Sequence, residues 1–505
     1  MRRIALAPLI LFGSTFLVYN LAAYANDPLA ELRLSSDDGA RQQIIALTRD
    51  LNLDVPPPIR YFLWLKGILG IFVGKFDLGD TRSATTVWEE LSYAIPVSLR
   101  LVFVATITAL VIGLALGIIS ALRQYSRFDY AMTFLAFLLF SLPIFWVAVL
   151  LKEFMAIQFN NFLSEPNIPI KWMVAFSIFI GIFWSSLFGG ERKRFWSVFG
   201  GAFATSFVIL WAIDFTDWYL NPGLGIILIG LLSVGIAFGV TAISTGLSNV
   251  PAKKAALTMA GLAVVWYYPA QWIFNNFGSY FTIFILISLI VLTGLGLSRI
   301  YSKIDHGPIA RTAIITGILS GFLILVDRIM QSWDDYFATD AVNGRPVPTY
   351  GQRKDQLVTE DFWLNNLDTI MHLVLPTLAL ILISVAGWIR YTRGALLEVL
   401  NQDYIRTARA KGLNEREVIT RHALRNTMLP LSSLFVGEFL GLISGAVITE
   451  RVFGWQGMGT LFIRGVNGGD PNLLMGVTLL FAVLTIFGNL LADLVYSALD
   501  PRIRL

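Results

Sequence analysis

The chain has 505 residues, of which 56% are hydrophobic and 14% charged, where a soluble domain carries about 25% charged residues. That balance excludes an ordinary soluble enzyme and describes a chain that crosses a membrane many times. With no cysteine and three histidines, disulfides, thiolate metal sites and cysteine nucleophiles are excluded too, and basic membrane-flanking loops explain the net charge of +4 better than nucleic acid does.

Arg2 and Arg3, an apolar run over 4–24 and Ala23-Tyr24-Ala25 have the outline of a cleavable signal peptide. The run is longer than the roughly 7 to 15 residues of a signal's apolar region, so it reads as a retained first span. The polar stretch 26–90, with Pro56-Pro57-Pro58, reads as a small ordered extracytoplasmic loop. A second span over 95–122 leads to Arg123 and Arg127, which the positive-inside rule assigns to the cytoplasm. The third, over 130–151, is interrupted by Pro143, which neighbouring helices can accommodate.

From 153 to 366 apolar runs alternate with links whose charge alternates in step. Runs at 172–190, 195–213, 224–243, 255–274, 280–297 and 312–326 predict about six spans. The links with Arg192-Lys193-Arg194, with Lys253-Lys254, and with Arg299, Lys303 and Arg311 fall inside, while those with Asp214, Asp217 and Asn221, with Asn275-Asn276, and 327–366 fall outside. An even number of spans lets this block be inserted without inverting the later spans.

A span over 371–389 then reaches the most basic stretch of the chain, with Arg390, Arg393, Arg406, Arg409, Lys411, Arg416, Arg421 and Arg425. Two more, over 431–447 and 473–494, leave 500–505 inside. The expectation is an all-α membrane protein of about twelve spans with both termini cytoplasmic. Its divisions are 1–152, an inserted block 153–366, and 367–505.

Within the basic loop 396–429 the sequence predicts a helical hairpin. Leu400, Tyr404 and Ala408 recur at helical spacing and Gly412 supplies a residue that adopts a left-handed end. Asn414 and Glu417 form a capping-box pair flanked by Leu413 and Val418 as a hydrophobic staple, and the second helix is expected to stop before Pro430. Such a hairpin suits docking of a soluble partner; a solvated basic loop is the alternative.

The residues Asp403-Tyr404-Ile405-Arg406-Thr407-Ala408-Arg409-Ala410-Lys411-Gly412-Leu413, then Arg421-His422-Ala423-Leu424-Arg425-Asn426 and Leu429-Pro430, closely resemble the EAA loop of binding-protein-dependent ABC importer permeases, in the wording of the peptide and nickel subfamily. Asp27-Pro28, Leu53-Asp54, Asp77-Leu78-Gly79 and Ser141-Leu142-Pro143 are similar to that family's N-terminal half. Thr449-Glu450 to Phe453, Gly457-Met458-Gly459, Asn489, Asp493 and Leu499-Asp500-Pro501-Arg502 are similar to its C-terminal half.

The resemblance implies a six-span permease core that pairs with a second, homologous permease, two P-loop ATPase subunits and an external solute-binding protein. It implies that Ala408, Gly412 and Leu413 make the central contact with the ATPase, that Arg406 and Arg409 flank it, and that Thr407 lies in the same motif. Peptides are the implied solute, with nickel or an oligosaccharide as alternatives. The block 153–366 departs from the family pattern; a lipid-facing belt or a partner-docking module is its expected role.

Glu438 lies inside a predicted span, where an ionisable group is a candidate for lining the pathway or is simply hydrogen-bonded within the bundle. No Gly-x-x-x-x-Gly-Lys-[Ser/Thr] loop occurs in the sequence, so ATP and Mg are expected on partner chains, and no cofactor, metal or catalytic residue is assigned to this one. An ion-coupled secondary transporter is the rival class; it needs intramembrane carboxylates, for which Glu438 alone is thin support.

Overall fold

The structure is a computed structural model that describes residues 2–499 except 26, 35–38, 189, 303–304, 355 and 358. The expected inside tail 500–505 and Lys303 lie outside the described residues, as do the side chains of Asp493 and Leu499. The described residues fold into helices, with one isolated bridge between Asp80 and Thr86.

Helix α1 (Arg2–Ala25) is followed by three short helices, α2 (Ala30–Leu34), α3 (Ala40–Asp50) and α4 (Pro57–Leu69). The stretch read as a loop is thus largely helical, and it is tied to α1 through Tyr61, whose hydroxyl lies 2.9 Å from that of Thr15. Helix α5 (Val87–Leu122) begins ahead of the predicted residue 95 because Thr86 caps it, accepting the Glu89 N–H at 3.2 Å.

The third span is a correction. Helix α6 (Arg127–Ser141) stops at Leu142, and α7 (Ile144–Leu151) restarts at 100° to it. Pro143 lacks an N–H and drives Leu142 into an extended conformation, so it separates two helices and does not merely kink one. Helix α7 continues through a π-helical turn (Lys152–Ile157) into α8 (Gln158–Ser164), so the expected boundary at 152 falls within a helical run.

The middle block contains α9 (Ile170–Phe188), α10 (Arg192–Phe215), α11 (Gly225–Ser244), α12 (Val250–Val265), α13 (Tyr267–Asn276), α14 (Tyr280–Tyr301), α15 (His306–Gln331) and α16 (Trp333–Phe337). Then come α17 (Phe362–Leu400), α18 (Asp403–Ala410), α19 (Glu415–Glu417), α20 (Leu424–Gly445), α21 (Val447–Phe453), α22 (Met458–Asn467) and α23 (Pro471–Leu499). Among the described residues nine helices are long and apolar enough to cross a membrane, or ten with the bent α6–α7 pair. The pair α12–α13, broken at Trp266, and α20 stand outside that count but occupy the places of the remaining predicted spans.

The centre of the molecule is the crossing of α5 and α17. Gly113 faces Trp388 and Gly117 faces Thr392 so closely that a methyl group at either position would collide, and around them Leu101, Ala105, Ala109, Leu375 and Ala379 are buried. Small residues at this spacing let two helix backbones approach where lipid offers no hydrophobic drive to pair them.

The middle block has its own polar staple. Asp327 of α15 is buried and accepts the Leu224 and Gly225 N–H groups at 2.6 and 3.1 Å, the Tyr267 hydroxyl at 2.7 Å, and the amides of Gln271 and Gln331 at 3.2 and 2.9 Å. One carboxylate thereby ties the start of α11 to α13 and α15. The block meets the first turns of α17 where the Trp363 indole donates to Phe274 O at 2.9 Å and Tyr336 donates to Asp368 at 2.8 Å.

Candidate coupling loop

Helix α18 ends in the turn the sequence predicts. Gly412 has φ +77°, its N–H reaches Arg409 O at 2.9 Å, and the Leu413 N–H reaches back to Ala408 O at 3.4 Å, which together form a Schellman end. Asn414 then caps α19, its side chain accepting the Arg416 N–H at 3.2 Å. Glu417 does not close the box; it pairs with Arg421 at 2.5 Å, one helical turn on. Leu413 and Val418 do pack in one cluster, so the staple half of the expectation holds.

The second helix differs from its prediction. A π-helical turn (Val418–Ala423) follows α19, and α20 runs through Pro430 instead of stopping before it. Thr427 and Leu431 are buried on either side of that proline, so the helix is packed against its neighbours there.

The hairpin rests on an apolar underside. Ile405, Ala408, Val418 and Ala423 are buried against Ala121 of α5 and Leu396 of α17, with Leu400, Leu413 and Leu424 at the edge. Ala408, expected at the centre of a contact with an ATPase, faces inward: its small side chain lets α18 seat closely, and half-buried Leu413 joins the same cluster. The exposed face carries Arg406, Thr407, Arg409, Lys411 and Gly412. Arg409 clamps the turn from outside with two hydrogen bonds to Glu415, at 2.7 and 3.1 Å, and holds that carboxyl below its ordinary range. Tyr404 accepts the Asn426 amide at 2.8 Å and pins α18 to α20.

Two supports were not legible as sites in the sequence. Arg393 of α17 donates to both oxygens of buried Asp129 of α6, at 2.6 and 2.9 Å, while Ser120 of α5 donates to the same carboxylate at 2.5 Å. Three helices are thereby stapled beside the loop. Arg416 donates to the carbonyls of Ala242 and, at 3.0 Å, Ile243 in the last turn of α11, so the middle block touches the hairpin directly. Cations are favoured at helix C-termini, where carbonyls lack partners.

The profile of a family described as binding-protein-dependent transport system inner membrane component matches residues 259–505. The chain belongs to that family. This permease is 45% identical over 137 residues to the oligopeptide transport system permease protein OppB of Mycobacterium tuberculosis, covering 27% of this chain and 42% of that one. It is 40% identical over 227 residues to AppB of Bacillus subtilis, an oligopeptide transport system permease protein (44% and 66%), and 44% identical over 140 residues to the dipeptide transport system permease protein DppB of Escherichia coli (28% and 41%). The permease thus spans less than half of OppB and DppB and about two thirds of AppB.

At the end of the permease opposite the hairpin lies a second polar centre. Glu450 of α21 is fully buried; the Ser98 hydroxyl donates to it at 2.5 Å, the Thr460 N–H at 2.9 Å, and Ser98 in turn accepts the Met458 N–H at 2.8 Å. Gly457 lies against the Glu450 carboxyl and Ser98, leaving no room for a Cβ. Burial pushes the carboxyl up, and the hydrogen bonds from Ser98 and from the backbone of Thr460 and Gly459 pull it back. The turn after α21 is held further by Lys152 donating to Val452 O at 2.6 Å and Gly351 donating to Phe453 O at 2.8 Å.

Glu438 is half-buried on α20 and hydrogen-bonded with Ser384 of α17. Asn489 is exposed on α23. Among the described residues no group of three His, Cys, Asp or Glu side chains is arranged to hold a metal ion.

Proposed function

We propose that the chain is the membrane-spanning permease subunit of an ABC importer that moves di- or oligopeptides across the cytoplasmic membrane of a prokaryote, with no catalysis of its own. Its relatives' names support the solute class. In this reading it works with a second homologous permease, two P-loop ATPase subunits that hold ATP and Mg, and an external solute-binding protein. The hairpin and both termini face the cytoplasm, as the arginines around it favour. Residues 153–366 are an insertion of about six spans into a six-span core.

The observation that carries the reading is the hairpin's underside. Because Ile405, Ala408 and Val418 are buried against α5 and α17, a partner that grips the exposed face moves those two helices with it. Closure of the ATPases on ATP then becomes a displacement of the α5–α17 pair, a coupling between nucleotide and solute sites. Arg406, Thr407, Arg409 and Gly412 form the gripped surface, and Ala408 and Leu413 form the joint beneath it. Glu438, between α17 and α20, is the carboxylate best situated to meet a peptide's amino group.

The test is purification of the tagged chain in mild detergent, mass spectrometry of what accompanies it, and peptide uptake by the reconstituted complex. ATPase subunits, a second permease and ATP-dependent uptake are expected. A chain that transports alone on an ion gradient would overturn the reading.

A further inference from the structure

Between α12–α13, α14 and α15 lies a cavity of about 330 Å³ whose walls are almost wholly apolar. Its one polar wall side chain that is not a tryptophan, Thr293, already spends its hydroxyl on Leu289 O at 2.7 Å. Water therefore finds few partners there, and apolar cavities less than half this size, at ~150 Å³, stay dry and take up hydrocarbon. A peptide would strand its backbone amides on the same walls.

The shape also fits a hydrocarbon chain. Along α14 the lining runs from Ile283 to Thr293, roughly 15 Å at 1.5 Å per residue, which is half of a bilayer core about 30 Å thick. That half is the one remote from the coupling loop. Trp266, Ile287, Leu289 and Phe322 belong both to the cavity wall and to the exposed outside of the bundle, so the cavity opens sideways, where lipid lies. Left empty, its walls forfeit the dispersion contacts that packed interiors make.

We propose that this cavity is a binding site for one acyl chain of a membrane lipid from the leaflet opposite the coupling loop, held as a structural component of the middle block. The site rests on the protein's being membrane-embedded and not on its solute, so its failure would leave peptide import untouched.

The full chain is reconstituted in vesicles of phosphatidylcholine carrying a photoactivatable diazirine on the acyl chain, irradiated, and mapped by peptide mass spectrometry. Strong labelling is expected at 283–293 and 317–325. Gly321→Leu, which fills the cavity from α15, is expected to lower that labelling severalfold while leaving the lipid-facing Trp211 of α10 labelled as before. If Gly321→Leu does not accumulate, Ile318→Phe fills the same wall and serves instead. Cavity labelling no stronger than at Trp211 and unchanged by filling would mean lipid merely surrounds the bundle, and absent cavity labelling would mean another chain or nothing occupies it; either overturns the proposal.

Discussion

Arg393 reaches Asp129 with two hydrogen bonds, at 2.6 and 2.9 Å, and the aspartate is 2% exposed. Truncating one partner of such a pair strands the other charge in a poorly solvated place, at a cost of about 3–5 kcal/mol. Arg393→Ala should therefore lower the thermal unfolding midpoint of the purified complex markedly. Arg393→Lys keeps the charge but not the two-pronged geometry and should fall between. Equal midpoints for wild type and Arg393→Ala would show that the staple carries no stability.

Gly412 has φ +77° and nothing within 4 Å of where a Cβ would stand. The objection to a side chain there is backbone conformation, costing about 1–3 kcal/mol for a residue forced into the left-handed region. Asn tolerates that region and valine does not. Gly412→Asn should retain ATP-coupled uptake, and Gly412→Val and Gly412→Trp should lose it while the chain still accumulates in the membrane. Uptake by Gly412→Trp at the wild-type rate would remove the hairpin from the coupling path.

Glu450, Ser98 and Gly457 form one unit, so their substitutions should not be additive. Ser98→Ala takes away a donor to a fully buried carboxyl, a loss of about 1–3 kcal/mol. Gly457→Ala drives a methyl group into that carboxyl. A double-mutant cycle on thermal unfolding should give a coupling of at least about 0.5 kcal/mol between the two positions, and simple additivity would argue that they are independent.

The Arg409–Glu415 clamp has a pH signature whose sign is fixed by the depressed carboxyl. Its stabilisation is complete above the ordinary glutamate value of 4.5 and is lost as pH falls through the lower folded value. Both side chains are about half exposed, so the pair contributes under about 1 kcal/mol and is screened by salt. The coupling between Arg409→Ala and Glu415→Ala should be measurable at neutral pH in dilute buffer and vanish in about 1 M salt. Persistence in salt would mean that the two residues communicate through the Gly412 turn and not through charge.

Much of this was readable in the chain. Apolar length and loop charge marked the spans, and Gly412 with Asn414 foretold the end of α18 and the start of α19, because these are local rules that a few residues satisfy among themselves. What stayed hidden depends on partners far away in sequence. Asp129 looks like an ordinary first-turn acid until Arg393, on α17, comes beside it, and Arg416 looks like one more inside-facing cation until α11 ends under it. Ala408 is the same case: helical periodicity marks a stripe without telling whether the stripe faces a partner or the protein. Pro143 and Pro430 have opposite outcomes, one separating two helices and one absorbed within a helix, and only the packing around each decides.

Helix α17 has 39 residues, about 58 Å at 1.5 Å per residue, nearly twice the thickness of a bilayer core. Near one end it carries Trp363 and Asp368, on which the middle block hangs, and at the other Leu396, on which the hairpin of α18 and α19 sits. A rod fastened at both ends cannot turn freely at either. In the proposed importer the middle block and the lipid around it therefore add drag to any turn of the rod, so the pace of uptake should respond to the thickness and fluidity of the surrounding bilayer.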